Sequence, residues 1–205
     1  MYIPAHFKET DYKKIVSFIK EFNFGLLVST DENEKVIATH IPFIITEKEN
    51  KLTIKTHIAK ANPQWKSFTD SKEVLAIFSE PHAYISPTNY IKQESVPTWN
   101  YMAVHVYGTP KLLESYEERL ALIEETINEF ESDFMHKWNE LSDKYRNGLL
   151  NGIVAFEIEV KSIDAKSKLS QNRLPEEREN IINSLSSSND SLKVKISELM
   201  KNNNT

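Results

Sequence analysis

Tyr12, Ile15, Val16, Ile19 and Phe22 recur three and four residues apart, with Lys13, Lys14, Lys20 and Glu21 between them. That spacing predicts an amphipathic helix over residues 11–22 whose apolar stripe lies on a sheet. The period then changes. Short apolar runs at residues 25–30, 36–45, 52–57 and 74–79 are each bounded by polar or turn-forming residues, and Leu52, Ile54 and Thr56 alternate with Thr53 and Lys55. Alternation over so few residues is the pattern of half-buried strands. The connections at 31–35 and around Lys48, Glu49 and Asn50 are far shorter than the crossover that parallel strands require, so antiparallel hairpins are predicted.

Two further strands are predicted at 99–108, where Met102, Val104 and Val106 alternate with Tyr101, Ala103 and His105, and at 153–160, with Glu157 and Glu159 on the wet face. A short helix is predicted over 62–70, capped by Asn62 and opened by Pro63. Ser115 with Glu118 forms a capping box for a helix lined by Leu120, Ile123, Ile127 and Phe130. Six antiparallel strands with peripheral helices predict a mostly β fold, a small barrel. After Lys168 the character changes: Pro175 opens a helix carrying Ile181, Ile182 and Leu185, a polar turn follows at 186–190, and Leu192, Ile196 and Leu199 mark a second helix. The expected organisation is a barrel domain over 1–170 and a helical tail over 171–205 packed on it, with 201–205 fraying.

With 40% hydrophobic and 27% charged residues among 205, the chain has the composition of a globular protein able to bury a core. No apolar run approaches the ~20 residues of a membrane helix, and the first residues lack the apolar stretch of a secretory signal, so a cytoplasmic protein is expected. There is no cysteine, which excludes disulfides, thiolate metal sites and a cysteine nucleophile. A net charge of −5 gives no footprint for wrapping nucleic acid. The four glycines form no dinucleotide or P-loop pattern, so any nucleotide phosphate must be held by other groups.

The histidines at 40, 57, 82 and 105 are widely spaced and lack close ligand pairs, so no metal site is expected. The serines lack a nucleophile elbow, and no catalytic residue stands out. Three stretches carry candidate chemistry. In Thr56-His57-Ile58-Ala59-Lys60-Ala61-Asn62-Pro63-Gln64-Trp65 a strand ends, a cation appears and a capped helix begins, which together favour a bound anion; capping and packing alone would produce the same pattern. In Val96-Pro97-Thr98-Trp99-Asn100-Tyr101 a ring system could stack on Trp99 and be hydrogen-bonded by Asn100, or the aromatics could simply pack. Lys166-Ser167-Lys168-Leu169-Ser170-Gln171-Asn172-Arg173 is a polar run with three cations, suited to a phosphate, an acidic partner or solvent.

These stretches, in this order and together with Met1-Tyr2-Ile3-Pro4, Phe7, His40, Pro42-Phe43, Ala83-Tyr84-Ile85-Ser86-Pro87 and Ala103-Val104-His105, resemble the signature blocks of the PaiB-type family of FMN-binding negative transcriptional regulators. The resemblance runs from residue 1 to about residue 185. It implies a six-stranded split β-barrel, a homodimer, and FMN between the subunits. It further implies that His57, Lys60, Asn62 and Gln64 lie by the phosphate and ribityl chain and that Trp99 and Asn100 approach the flavin; His40, Thr56, Trp65, Lys168, Gln171 and Arg173 are expected as further cofactor-binding residues. A regulatory or sensor protein is expected, the alternative being an FMN-dependent oxidoreductase, since flavin chemistry resides mostly in the cofactor. The tail could be read as a DNA-binding helix pair, but its loose turn and few cations favour packing on the barrel.

Overall fold

The computed structural model describes residues 1–48, 51–68, 72–92 and 94–203. The turn residues Glu49 and Asn50, the end of the helix predicted over 62–70, and the last of the residues expected to fray lie outside them. The chain forms two compact units. The first comprises Val16–Ile77 and Val106–Ile163, the second Met1–Ile15, Phe78–His105 and Asp164–Thr205.

Eight strands form among the described residues: β1 (Phe24–Thr30), β2 (Val36–Pro42), β3 (Ile44–Lys48), β4 (Lys51–Ala59), β5 (Val74–Phe78), β6 (His82–Ile85), β7 (Thr98–Leu113) and β8 (Ile153–Lys168). The expectation of six is corrected in two places. The run predicted over 36–45 breaks at Phe43, whose side chain is fully buried and whose N–H donates to Asn23 O at 2.8 Å. The second addition is β6, only four residues long, with exposed His82 and Tyr84 alternating with buried Ala83 and Ile85.

The hydrogen-bonded order is β2-β1-β5-β7-β8-β4-β3, with β6 added on β7. In the first unit β2 and β3 stand at opposite ends of that order yet are separated by Phe43 alone. One run of chain therefore pairs antiparallel with β1 through its first half and with β4 through its second, which curls the sheet into a barrel. Leu27, Phe43, Ile54, Val106 and Phe156 fill its interior with no exposed area. Gly108 is required there: a Cβ at this position would lie 2.3 Å from Glu159 O, so only glycine lets β7 and β8 approach as they do.

β7 and β8 are each 16 residues long, and both overrun their predicted ends. In β8 the inward positions beyond 160 are taken by Ala165 and Ser167, which are buried without being strongly apolar, so hydropathy does not betray them. The polar run at 166–173 thus begins inside a strand.

Helix α1 (Tyr12–Glu21) forms where the periodicity places it and buries Ile15, Val16, Phe18 and Ile19. Three helices lie wholly within the first unit: α2 (Tyr116–Glu131), α3 (Met135–Glu140) and α4 (Asp143–Asn151). The capping box of α2 is complete, Ser115 Oγ accepting from Glu118 N while the Glu118 carboxylate accepts from Ser115 N. Its buried contact is Leu122, clustered with Ile44, Leu113 and Ala155, whereas Phe130 of the predicted stripe is 52% exposed. In the second unit, α5 (Pro175–Ser186) packs on α6 (Ser191–Asn202) through Ile181, Leu185, Ile196 and Met200. Among the described residues no helix is long and apolar enough to cross a membrane.

Candidate functional site

In the first unit the end of β4 turns a corner into a five-residue 3-10 turn, Pro63–Ser67, in place of a longer helix. So short a turn has no macrodipole to offer an anion. Three amides of the corner are also engaged: Lys60 N donates to Gly152 O and Asn62 N to Ala59 O, both at 2.8 Å, and Gln64 N to Asn62 Oδ1 at 3.0 Å. The backbone part of the anion-binding expectation therefore does not hold at these three amides. The side chains of the corner form a closed network. Asn62 Nδ2 donates to Thr39 Oγ1 at 3.0 Å, the Thr39 hydroxyl donates to Gln64 Oε1, and Gln64 Nε2 donates to Leu27 O at 3.2 Å and Ser29 Oγ at 3.1 Å. Gln64 has no exposed area. Thr56, buried on β4, donates to Pro42 O at 2.6 Å. Asn62, Gln64 and Thr56 thus spend these polar groups within the protein, tying β1, β2 and β4 to the corner.

The groups left outward are different ones. Lys60 is exposed, and among the described residues no carboxylate pairs with it. Trp65 Nε1 donates to Lys60 O at 3.0 Å, which fixes the indole beside the lysine. His57, half-buried on β4, has its pKa held below the usual histidine value by burial. His40 is exposed on β2, its ring stacked at 16° and 6.4 Å on Phe24. Lys60 and Trp65 line a cleft of 220 Å³ with Leu112, Glu114, Arg119 and Ile153. Arg119 carries no signal in the sequence, where it reads as an ordinary solvated cation early in a helix; its Nε is shielded from solvent and has no hydrogen-bond partner among the described residues.

The second unit gathers the other predicted residues. Trp99 is 51% exposed, with Tyr84 packed edge-on and His82 tilted against it, each 5.8 Å away. Asn100 is fully buried: its Oδ1 accepts from Ser170 Oγ at 3.0 Å and its Nδ2 donates to Met200 Sδ at 3.4 Å. Ser170 sits at φ 61°, a left-handed conformation that this bond and the Leu169 N to Gln171 Oε1 bond of 2.7 Å hold in place. Gln171 Nε2 donates to Ser167 O. Lys168 donates to the Thr98 hydroxyl and, at 2.8 Å, to Trp99 O. Burial, then the charges of Lys166 and Arg173, push its pKa down. The Arg173 guanidinium lies over the ring of buried Tyr90, its Cζ 3.9 Å from the ring centre. Lys168 and the Ser170–Asn100 bond consequently pin the turn after β8 to the start of β7, and Gln171 braces the turn itself, while Trp99 and Arg173 present planar groups.

A family model described as "Putative FMN-binding domain" matches residues 1–162. The chain belongs to this family. FMN is the cofactor of this FMN-binding domain, and the likeness to the PaiB type is borne out. "Protease synthase and sporulation protein PAI 2" of Bacillus subtilis is 41% identical over 203 residues, covering 98% of this chain and 97% of that protein. Among solved structures, the FAD and heme binding protein of Mycobacterium smegmatis superposes with a TM-score of 0.58 at 12% identity, over 78% of this chain and 73% of that one. The flavocytochrome Anf3 of Azotobacter vinelandii gives 0.56 at 12% identity, over 80% and 74%. At such identity these likenesses concern the fold alone: a mostly antiparallel sheet with flanking helices, similar to that of these two proteins.

The donor set of the FMN-binding domain fits the phosphate of that cofactor. Two cations line one small cleft, one exposed and, among the described residues, without a carboxylate partner, the other with a buried Nε–H that has no acceptor among them. Lys60 and Arg119 would hold the phosphate, and Trp65 would wall it.

Proposed function

We propose that the protein is an FMN-holding regulator or sensor of the PaiB type, a homodimeric cytoplasmic protein in which the Lys60 corner takes the FMN phosphate. The observation that carries this is the Lys60 ammonium, exposed beside Trp65 on a corner whose other polar groups are bonded internally. Bound FMN supplies one- and two-electron redox chemistry; the chain supplies grip and orientation. His40 and His57 flank the corner on β2 and β4, and the Asn62–Gln64–Thr39 network holds it rigid.

The cleft supports the dimer. At 220 Å³ it falls below the ~300 Å³ at which pockets begin to enclose a whole ligand of this kind, so it takes one end of the cofactor and leaves the ring system outside. A second copy would cover the ring, with Trp99 as the stacking surface, and Lys168, Gln171 and Arg173 close by. The regulatory reading draws on the Bacillus subtilis relative, whose name refers to sporulation. The net charge of −5 lends no support to direct DNA binding.

Native mass spectrometry of the purified protein tests this at once, with two chains and two FMN the expected mass. Replacing Lys60 with Ala is expected to weaken FMN binding by about tenfold or more while leaving the fold intact, as loss of a charge-assisted contact does. Unchanged affinity would remove Lys60 from the phosphate. Rapid bleaching of the flavin by NADH or NADPH, with turnover, would replace the sensor reading with that of an FMN-dependent oxidoreductase.

A further inference from the structure

The Lys60 cleft contains a second cation, and its setting in the first unit is unusual. Arg119 is the fourth residue of α2, and its N–H donates to Ser115 O at 3.3 Å. The completed capping box fixes that turn, so the side chain is delivered from a rigid element. It lines the same cleft as Lys60 and Trp65. Its neighbour Glu118 spends its carboxylate on Ser115. Glu114 also lines the cleft, yet it is exposed and forms no ion pair with Arg119. The Arg119 Nε–H is out of reach of water and has no acceptor among the described residues, which is costly, and the side chain it belongs to lines the cleft.

We propose that Arg119 is the second phosphate-binding cation of the site and the residue that makes the protein select phosphorylated flavin over riboflavin. This rests on the reading that the Lys60 corner takes the phosphate. A phosphate monoester carries a charge of about −1.5 to −2 at neutral pH, more than one ammonium balances. Lysine acts as a point charge, whereas the planar guanidinium offers two parallel N–H groups to two phosphate oxygens. Riboflavin shares the ring and the ribityl chain with FMN and lacks only the phosphate. Because the cleft is too small for the ring, Arg119 touches the part of the cofactor in which the two differ.

The test is equilibrium dialysis of the full-length protein against FMN and against riboflavin, with Arg119→Gln, Arg119→Lys and Lys60→Ala beside the wild type. Arg119→Gln is expected to weaken FMN by about tenfold or more and to leave riboflavin within about twofold, so the ratio of the two affinities collapses. Inorganic phosphate should compete with FMN for the wild type and lose most of that effect in the variant. Arg119→Lys, which keeps the charge and the apolar stem, should fall between and also serves if the glutamine variant does not fold. If Arg119→Gln binds FMN as the wild type does while Lys60→Ala does not, the proposal for Arg119 is overturned and the corner reading survives. If neither variant changes FMN binding, both are wrong. Equal losses for FMN and riboflavin would make Arg119 a structural residue and refute its selectivity.

Discussion

Replacing Gln64 with Leu separates a residue that touches cofactor from one that builds the corner. The carboxamide has no exposed area; it donates to Leu27 O at 3.2 Å and to Ser29 Oγ at 3.1 Å, and accepts from the Thr39 hydroxyl. Leucine fills nearly the same volume but offers neither donor nor acceptor. Ser29 is only 6% exposed, so water does not replace its lost partner, while Thr39 keeps its bond from Asn62. Each buried group stripped of its partner costs about 1–3 kcal/mol, and the added apolar burial returns a part of the sum, leaving a destabilisation of about 2–4 kcal/mol. With a urea dependence of about 2 kcal/mol per M, the unfolding midpoint should fall by roughly 1–2 M. A double-mutant cycle with Thr39→Val should show coupling of at least about 0.5 kcal/mol, because the two side chains share a bond. A midpoint within about 0.3 M of wild type, combined with a clear loss of FMN, would refute the reasoning and return Gln64 to the cofactor.

Gly108 and Gly148 give opposite expectations for the same substitution. Gly108→Ala drives a Cβ to within 2.3 Å of the Glu159 backbone oxygen, and the melting temperature should drop by 10 °C or more, or soluble protein be lost, at about 2–4 °C per kcal/mol. Gly148→Ala, within α4 and with nothing within 4 Å of the new methyl, should raise it by a few degrees through the ~0.5–1 kcal/mol difference in helix propensity; a fall would contradict the open space there. His57 is buried toward its neutral form, so its folded pKa lies below its unfolded value of about 6.5. The unfolded chain therefore takes up more protons between those two values, and stability is lost as pH falls through that window and levels off below the folded pKa. In His57→Gln the fall in melting temperature between about pH 7.5 and pH 5 should be smaller, with His105, also lowered mainly by burial, supplying a remaining share; an unchanged slope would exclude His57.

Periodicity reports which residues face a core, and that much of this molecule is local. The helix at Tyr12–Glu21, the capping box at Ser115 and Glu118, the two tail helices and the six strand centres all announce themselves within a few residues. The break at Phe43 does not, because an apolar residue reads as strand whether or not its N–H stays in the ladder. Nor does the far half of β8, where Ala165 and Ser167 are buried by position instead of by chemistry. The motif residues were visible, but the division of labour among them was not. Asn62, Gln64 and Asn100 look like ligand-facing amides in sequence, and in the fold they are internal fasteners.

By itself, then, the sequence determined the alternation that makes a β protein, the blocks that mark an FMN-binding family, and the presence of Lys60 and Trp65 at a strand end. Only the tertiary structure decided that Phe43 kinks one run of chain between two partners, that the amides of Lys60, Asn62 and Gln64 are already engaged, and that Arg119, 59 positions beyond Lys60, shares its cleft. The physical reason is range. Propensity and capping act between residues a turn apart, whereas the choice of which polar groups are satisfied internally, and which are left for a ligand, is made by neighbours that meet only when the chain has folded.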